Sequence, residues 1–147
     1  MFVEQMLDKA RERLAVIDAT ASVREAAAVM SKPHTELLVV CGPDGGIVGV
    51  VTKTDVIGQI CRCSGQGCMA SVDTIMTRNV ISCAPNDLLH EVWLVIKERG
   101  LLRIPVLDSS RKPIGIVYAR DAIQNLLGEA ENEEALLRDY VMTVGYR

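Results

Sequence analysis

The sequence predicts an α/β (α+β) fold: one β-α-β-β-α unit made twice, the two copies packed sheet to sheet about a pseudo-twofold axis. Three observations predict it. Residues 22–60 align without a gap on residues 88–126, an offset of 66, with Glu25/Glu91, Val29/Val95, Val40/Val106, Gly49/Gly115, Val51/Val117, Asp55/Asp121 and Ile57/Ile123 identical. Hydrophobic residues make up 49% of the 147 but aromatics only 3%, so the core is aliphatic, as suits strands covered by helices. Each half is ~60 residues and would bury too little surface alone, so the halves must share a core.

The elements follow in order. Phe2, Met6, Leu7, Ala10 and Leu14 give residues 2–14 the spacing of an amphipathic helix. Ala15-Val16-Ile17 is a short strand. Ser22 with Glu25 three residues on makes a capping box. Val23, Ala26, Ala27 and Met30 supply that helix with a buried stripe. Leu37 to Cys41 and Ile47 to Val51 form a hairpin around the Gly42-Pro43-Asp44-Gly45-Gly46 turn. A helix follows over about Lys53 to Cys61. The small, polar, Gly-rich residues 62–71 read as a linker.

The order then recurs. Ile75-Met76-Thr77 leads into a strand over Asn79 to Cys83 and a helix over about Asn86 to Arg99. Strands Arg103 to Leu107 and Pro113 to Val117 flank a turn, and a helix runs from Ala119 to Leu127. Gly128 reads as its stop. Residues 129–143 read as a separate helix, acidic at its start, that packs on the body or on a second subunit. The organisation expected is a first repeat with its N-terminal helix over 1–62, a linker over 63–71, a second repeat over 72–128 and a C-terminal helix over 129–147.

Charge and composition exclude several functions. Net charge is −3, and Arg11 and Arg13, interleaved with Glu12, read as a solvated helix face, so nucleic acid is not expected as a partner. No apolar run reaches a membrane span, and Glu4 and Asp8 stand where a signal peptide would be basic, so a cytoplasmic protein is expected. Five cysteines, an odd number, argue for reduced thiols. His34 and His90 join no nucleophile–base set, which argues against acid–base catalysis. Trp93 reads as a core or interface residue.

Two strand-to-helix corners carry the chemistry. Gly49-Val50-Val51-Thr52-Lys53-Thr54-Asp55 and Gly115-Ile116-Val117-Tyr118-Ala119-Arg120-Asp121 share one frame. A helix start offers free N–H groups to phosphate, and a carboxylate can accept two hydrogen bonds from a diol. The plainer reading of Thr52-x-x-Asp55 is a capping box, and one residue set can serve both roles.

A β-α-β-β-α unit with a Met-Thr lead-in, an Ile104-Pro105-Val106 strand and a Gly-x-x-Thr-x-x-Asp corner resembles the cystathionine β-synthase (CBS) domain. Two in tandem resemble the Bateman module. The resemblance covers about residues 4–127 and implies a stand-alone pair that is not an enzyme. In that family the module is regulatory. It binds AMP, ADP or ATP, in some members S-adenosylmethionine or NAD-type compounds, in two clefts between the repeats, and it pairs into disc-like homodimers. No required cofactor is implied, and the regulated protein is not identified.

Carried over by position, the first cleft would use Thr52, Thr54 and Asp55. Its adenine wall would be Thr77, Val80, Ile81, Ser82, Leu101 and Leu102. The second would use Asp121, with Arg103 and Arg120 near phosphate and a wall of Val16, Ile17, Asp18, Thr35 and Glu36. Tyr118 replaces the corner hydroxyl there, and Asp18 and Glu36 add negative charge, so the first cleft is expected to bind better. Repeat 1 has a longer stretch from Met6 to Val16 than its counterpart, which leaves the register there open. One rival is a thiol-based metal or redox sensor using Cys61, Cys63 and Cys68, although Cys-x-Cys is not the usual zinc knuckle and no metal site is expected. Another is a structural pair that only docks a partner.

Overall fold

The computed structural model describes residues 1–33, 35–62 and 69–144. A 3-10 turn, Val3–Met6, runs into α1 (Leu7–Glu12); then come β1 (Val16–Asp18), α2 (Val23–Met30), β2 (Leu37–Cys41), β3 (Ile47–Thr52) and α3 (Lys53–Arg62). After a 3-10 turn at Val72–Thr74 follow α4 (Leu89–Arg99), β4 (Arg103–Leu107), β5 (Pro113–Tyr118) and α5 (Ala119–Val144). Among the described residues, repeat 1 holds a sheet of order β1-β2-β3, with β1 parallel to β2 and β3 antiparallel, and repeat 2 holds the antiparallel pair β4-β5.

Strands β2, β4 and β5 bury both faces, but against different partners. Leu38, Val40 and Val51 meet Val23, Ala26 and Met30 of α2 and Val56 of α3. Ile104, Val106 and Val117 meet Leu89, Val92 and Ile96 of α4 and Ala122 of α5. The opposite faces meet each other: Leu37 and Val39 of β2 pack on Ile116 and Tyr118 of β5. That seam is the sheet-to-sheet contact which the repeat predicts. Trp93 packs against the repeat-2 core.

Three expectations need correction. The segment 2–14 is not one helix: the 3-10 turn buries Val3, leaves Phe2 44% exposed, and sends Val3, Met6 and Ala10 into the core of repeat 2. The expected strand 79–83 shrinks to a bridge at Cys83 beside Val106. In repeat 1, Val39 N–H donates to Ala15 O and Ala19 N–H to Cys41 O, on either side of the matching Ile17–Val40 pair. The counterparts of those two donors are Pro105 and Pro85, which have no N–H. The ladder can therefore keep only the two bonds of Cys83 itself, N–H to Pro105 O at 3.0 Å and Leu107 N–H to its carbonyl at 2.9 Å. Third, Gly128 does not stop a helix; α5 runs through it for 26 residues. A C-terminal glycine stops a helix by taking positive φ, as Gly100 does after α4 at φ 66°, and Gly128 does not. One interior glycine costs only about 1 kcal/mol, which the Glu-, Ala- and Leu-rich flanks tolerate. Leu136, Leu137, Tyr140 and Val141 consequently stand exposed on the far half of α5.

Candidate ligand cleft between the repeats

The corner Thr52–Asp55 folds as local chemistry dictates. Asp55 N–H donates to Thr52 Oγ1 at 3.3 Å and Thr52 N–H donates to Asp55 Oδ2 at 3.0 Å, a reciprocal cap that starts α3 at the end of β3. Gly49 lies three residues earlier. A Cβ there would lie 2.6 Å from Met76 Sδ and 2.8 Å from Thr77 O. The glycine therefore admits the Met-Thr lead-in of repeat 2, which adds to β3 through Val50 N–H to Thr77 O at 3.0 Å and Thr77 N–H to Val50 O at 2.8 Å.

Gly115 does the same in reverse. A Cβ there would lie 2.8 Å from Ala10 Cβ, so α1 crosses β5 where Met76 crosses β3. Ala10 is thus the counterpart of Met76, 66 residues apart, and this settles the register of the first lead-in. The counterparts of Val80 and Ile81 are Leu14 and Ala15.

The exchange of lead-ins leaves a cleft of about 330 Å³ lined from both repeats. Leu37, Val50 and Thr52 line it from repeat 1; Thr77, Asn79, Val80, Ile81, Gly100, Leu101, Leu102, Arg103 and Pro105 line it from repeat 2. The structure thus brings together Thr52, Thr77, Val80, Ile81, Leu101 and Leu102 of the residues expected there. Ser82 does not line this cleft; it falls in a neighbouring pocket with Asp87 and with Glu91, Val92 and Val95 of α4, which Ile81 also lines. Thr54 is exposed on the first turn of α3, and Asp55 is half-buried behind Thr52.

Charge gathers at one end. Glu36 Oε1 lies 3.3 Å from Lys53 Nζ and Glu36 Oε2 lies 3.6 Å from Arg103 NH2. Arg103 Nε is buried with no hydrogen-bond partner, an arrangement that costs about 1–3 kcal/mol. Arg103 was expected at the second cleft; instead it lines the first, with its guanidinium 5.3 Å from the Tyr118 ring centroid.

The second corner departs from its copy. Asp121 is 4% exposed and is gripped by Arg13, Nε to Oδ2 at 3.0 Å and NH2 to Oδ1 at 3.2 Å. The Arg13 guanidinium also lies 4.6 Å from the Tyr118 centroid, and Asp121 raises its pKa further. Tyr118 is 3% exposed, wedged into the sheet seam. Both carboxylate oxygens of Asp121 are thus engaged by Arg13, whereas those of Asp55 meet no side-chain cation among the described residues.

The expected second wall also moves. Ile17 is buried in the repeat-1 core and Val16 is half-exposed beside it. Leu14, Ala15 and Thr35 line the remaining opening, about 600 Å³, with Lys9, Glu12, Arg13, Pro33 and Arg120. Asp18 does not line that opening, and its carboxylate is taken up locally by Thr20, accepting from Thr20 N–H and Oγ1 at 2.8 and 2.7 Å, bonds that lower its pKa. Glu36 is likewise taken by its two cations. Arg13 was missed as a solvated residue. The signal that could have found it is its counterpart, Asn79, on the wall of the first cleft.

Cys63, Cys68 and His34 lie outside the described residues. Among the described residues no group of three or more His, Cys, Asp or Glu could hold a metal ion. Cys61 is exposed, whereas burial pushes the Cys83 thiol up to about 12 and raises that of Cys41. No helix among the described residues is long and apolar enough to cross a membrane.

Known proteins share this architecture. The CBS pair of protein MJ0100, in complex with 5′-methylthioadenosine and S-adenosyl-L-methionine, superposes with TM-score 0.71 at 25% identity, covering 88% of this chain and 98% of that one. CBSX2 in complex with AMP gives TM-score 0.74 over 88% of this chain and 98% of its own, at 21% identity, a likeness of fold alone. Among curated proteins, a homoserine O-acetyltransferase of Methanosphaera stadtmanae is 33% identical over 101 residues, 69% of this chain and 20% of that protein. An L-aspartate semialdehyde sulfurtransferase of Methanosarcina acetivorans is 28% identical over 114 residues, 78% of this chain and 22% of that one. The chain spans about a fifth of the length of these curated relatives. The CBS domain profile matches residues 3–62 and again 72–128, and with the duplicated corner, the exchanged lead-ins and the shared seam, this places the chain in the CBS domain family as a tandem pair.

Proposed function

We propose that this CBS pair is a regulatory module, without catalysis of its own, that binds an adenosine-containing ligand in the first cleft. One observation carries the reading: a 330 Å³ cleft, within the size of small-molecule sites, takes its lining from both repeats and ends at a capped helix start beside Thr52. The adenosine ligands of the MJ0100 pair support the ligand class. Val80, Ile81, Leu101 and Leu102 wall the base, Thr52 and the α3 N-terminus face the phosphate or its substitute, and Asp55, which caps Thr52 N–H from behind the lining, reaches the ribose with its other carboxylate oxygen. A ligand held by both repeats shifts their relative angle by as much as it prefers one arrangement over another. Two chains pair through exposed apolar helix positions such as Ile57, Ile60 and Leu94. The activities named for the longer relatives are not part of this reading.

Calorimetric titration with AMP, ADP, ATP, S-adenosylmethionine and 5′-methylthioadenosine tests it, with Asp55→Ala as control. At least one should bind the native chain and bind the variant more weakly. No heat from any of them, or equal binding by the variant, overturns it.

A further inference from the structure

The first cleft is lined by one cation, Arg103, and Glu36 and Lys53 stand next in the chain to its lining residues Leu37 and Thr52, charges that a purine and a ribose do not need. Glu36 immediately precedes β2, and its carboxylate holds Lys53 at the start of α3 and Arg103 at the start of β4. One side chain thus ties the two repeats at the charged end of the cleft. Its counterpart 66 residues on is Leu102, so the charge is not part of the duplicated frame. The three partners are partly exposed, with Arg103 at 23%, Glu36 at 36% and Lys53 at 41%. Arg103 also keeps a buried Nε without an acceptor.

We propose that the first cleft selects a phosphate-bearing adenosine compound, and that Glu36 competes with that phosphate for Lys53 and Arg103. This rests on the adenosine reading above and adds the ligand's charge and the residue that tunes it. A phosphate offers more charge than a carboxylate and three acceptor oxygens, which suit the fork of Arg103, the ammonium of Lys53 and the free N–H groups of α3 together. Glu36, in the loop just before β2 with a third of its side chain exposed, can turn to water when displaced. A thioether gains nothing from the two cations, and a sulfonium is repelled by them. Glu36 therefore weakens phosphate binding but leaves uncharged ligands alone.

The test is calorimetry at fixed ionic strength with AMP, ATP and 5′-methylthioadenosine on the native chain, Glu36→Gln and Arg103→Gln. Glu36→Gln should tighten AMP by roughly fivefold and ATP by at least as much, the size of a partly exposed charge pair, with 5′-methylthioadenosine unchanged within about twofold. Arg103→Gln should weaken AMP and ATP about tenfold and spare the thioether. Lys53→Gln, at a more exposed helix start, gives the same reading if Arg103→Gln fails to fold. Raising salt should weaken AMP but not the thioether. Equal effects of Glu36→Gln on AMP and thioether overturn the inference, as does a native chain that prefers the thioether. In either case adenosine binding itself stands. Absence of binding by every adenosine compound overturns both together.

Discussion

Arg13 and Asp121, 108 residues apart, are joined by two hydrogen bonds, Nε to Oδ2 at 3.0 Å and NH2 to Oδ1 at 3.2 Å. The pair binds the end of α1 to the start of α5 and occupies the carboxylate whose counterpart, Asp55, sits behind the open cleft. Arg13→Ala leaves a buried charge uncompensated and should cost about 2–4 kcal/mol by urea unfolding. Asp121→Ala and the double variant should show strong coupling. Simple additivity of the two single losses would mean that the contact does not act as a pair.

The same contact sets stoichiometry. With Asp121 held by Arg13 and Tyr118 buried in the seam, one adenosine ligand per chain is expected in calorimetry. Two equivalent sites per chain would show that the second corner opens.

Gly49→Ala places a Cβ 2.6 Å from Met76 Sδ and 2.8 Å from Thr77 O. A loss of about 1–3 kcal/mol in chemical denaturation is expected, with weaker ligand binding because the Thr77 wall is pushed back. Met76→Ala should restore only part of it, since the carbonyl contact remains. An unchanged midpoint would contradict the close approach.

Gly128→Ala separates a helix interior from a helix stop. Nothing lies within 4 Å of a Cβ there, and α5 continues past it. The substitution should stabilise by about 0.5–1 kcal/mol and raise helicity in circular dichroism. Destabilisation would restore the stop.

Cys83 makes the alkaline limb of stability testable. Burial raises its thiol to about 12, so the folded state favours the protonated form. Its contribution is fully present below the unfolded thiol pKa near ~8.5 and is lost as pH rises toward the folded value. The urea midpoint should fall through that window, and Cys83→Ala should flatten the fall. At pH 8 the exposed Cys61 should react with a thiol reagent far faster than Cys83.

Much of the fold was legible because the cues are local and repeated. β2 and β4 keep the expected bounds, Leu37–Cys41 and Arg103–Leu107, and the Ser22 cap forms, its Oγ accepting Glu25 N–H at 3.1 Å. The shortened strand at Cys83 was legible in principle, since Pro85 and Pro105 are in the sequence. It became visible only once Ala19 and Val39 were known to be the matching donors. Six of the residues expected around the first cleft line it, because strand alternation and the 66-residue offset fix which side chains face the other repeat. The wall of the second opening, Leu14 and Ala15, follows from the same offset only when it is carried back through α1.

By itself the sequence determined the duplicated unit, the aliphatic two-faced strands and the inequality of the two corners. Those rest on periodicity, composition and residue identity, which are properties of neighbours along the chain. Tertiary structure alone decided that α1 serves the core of the other repeat, that Arg13 closes on Asp121, and that Glu36 holds Lys53 and Arg103. The two ion-pair contacts each depend on a long side chain choosing among several possible charges. That choice is made by which backbones cross, here over Gly49 and Gly115, and no local pattern encodes it.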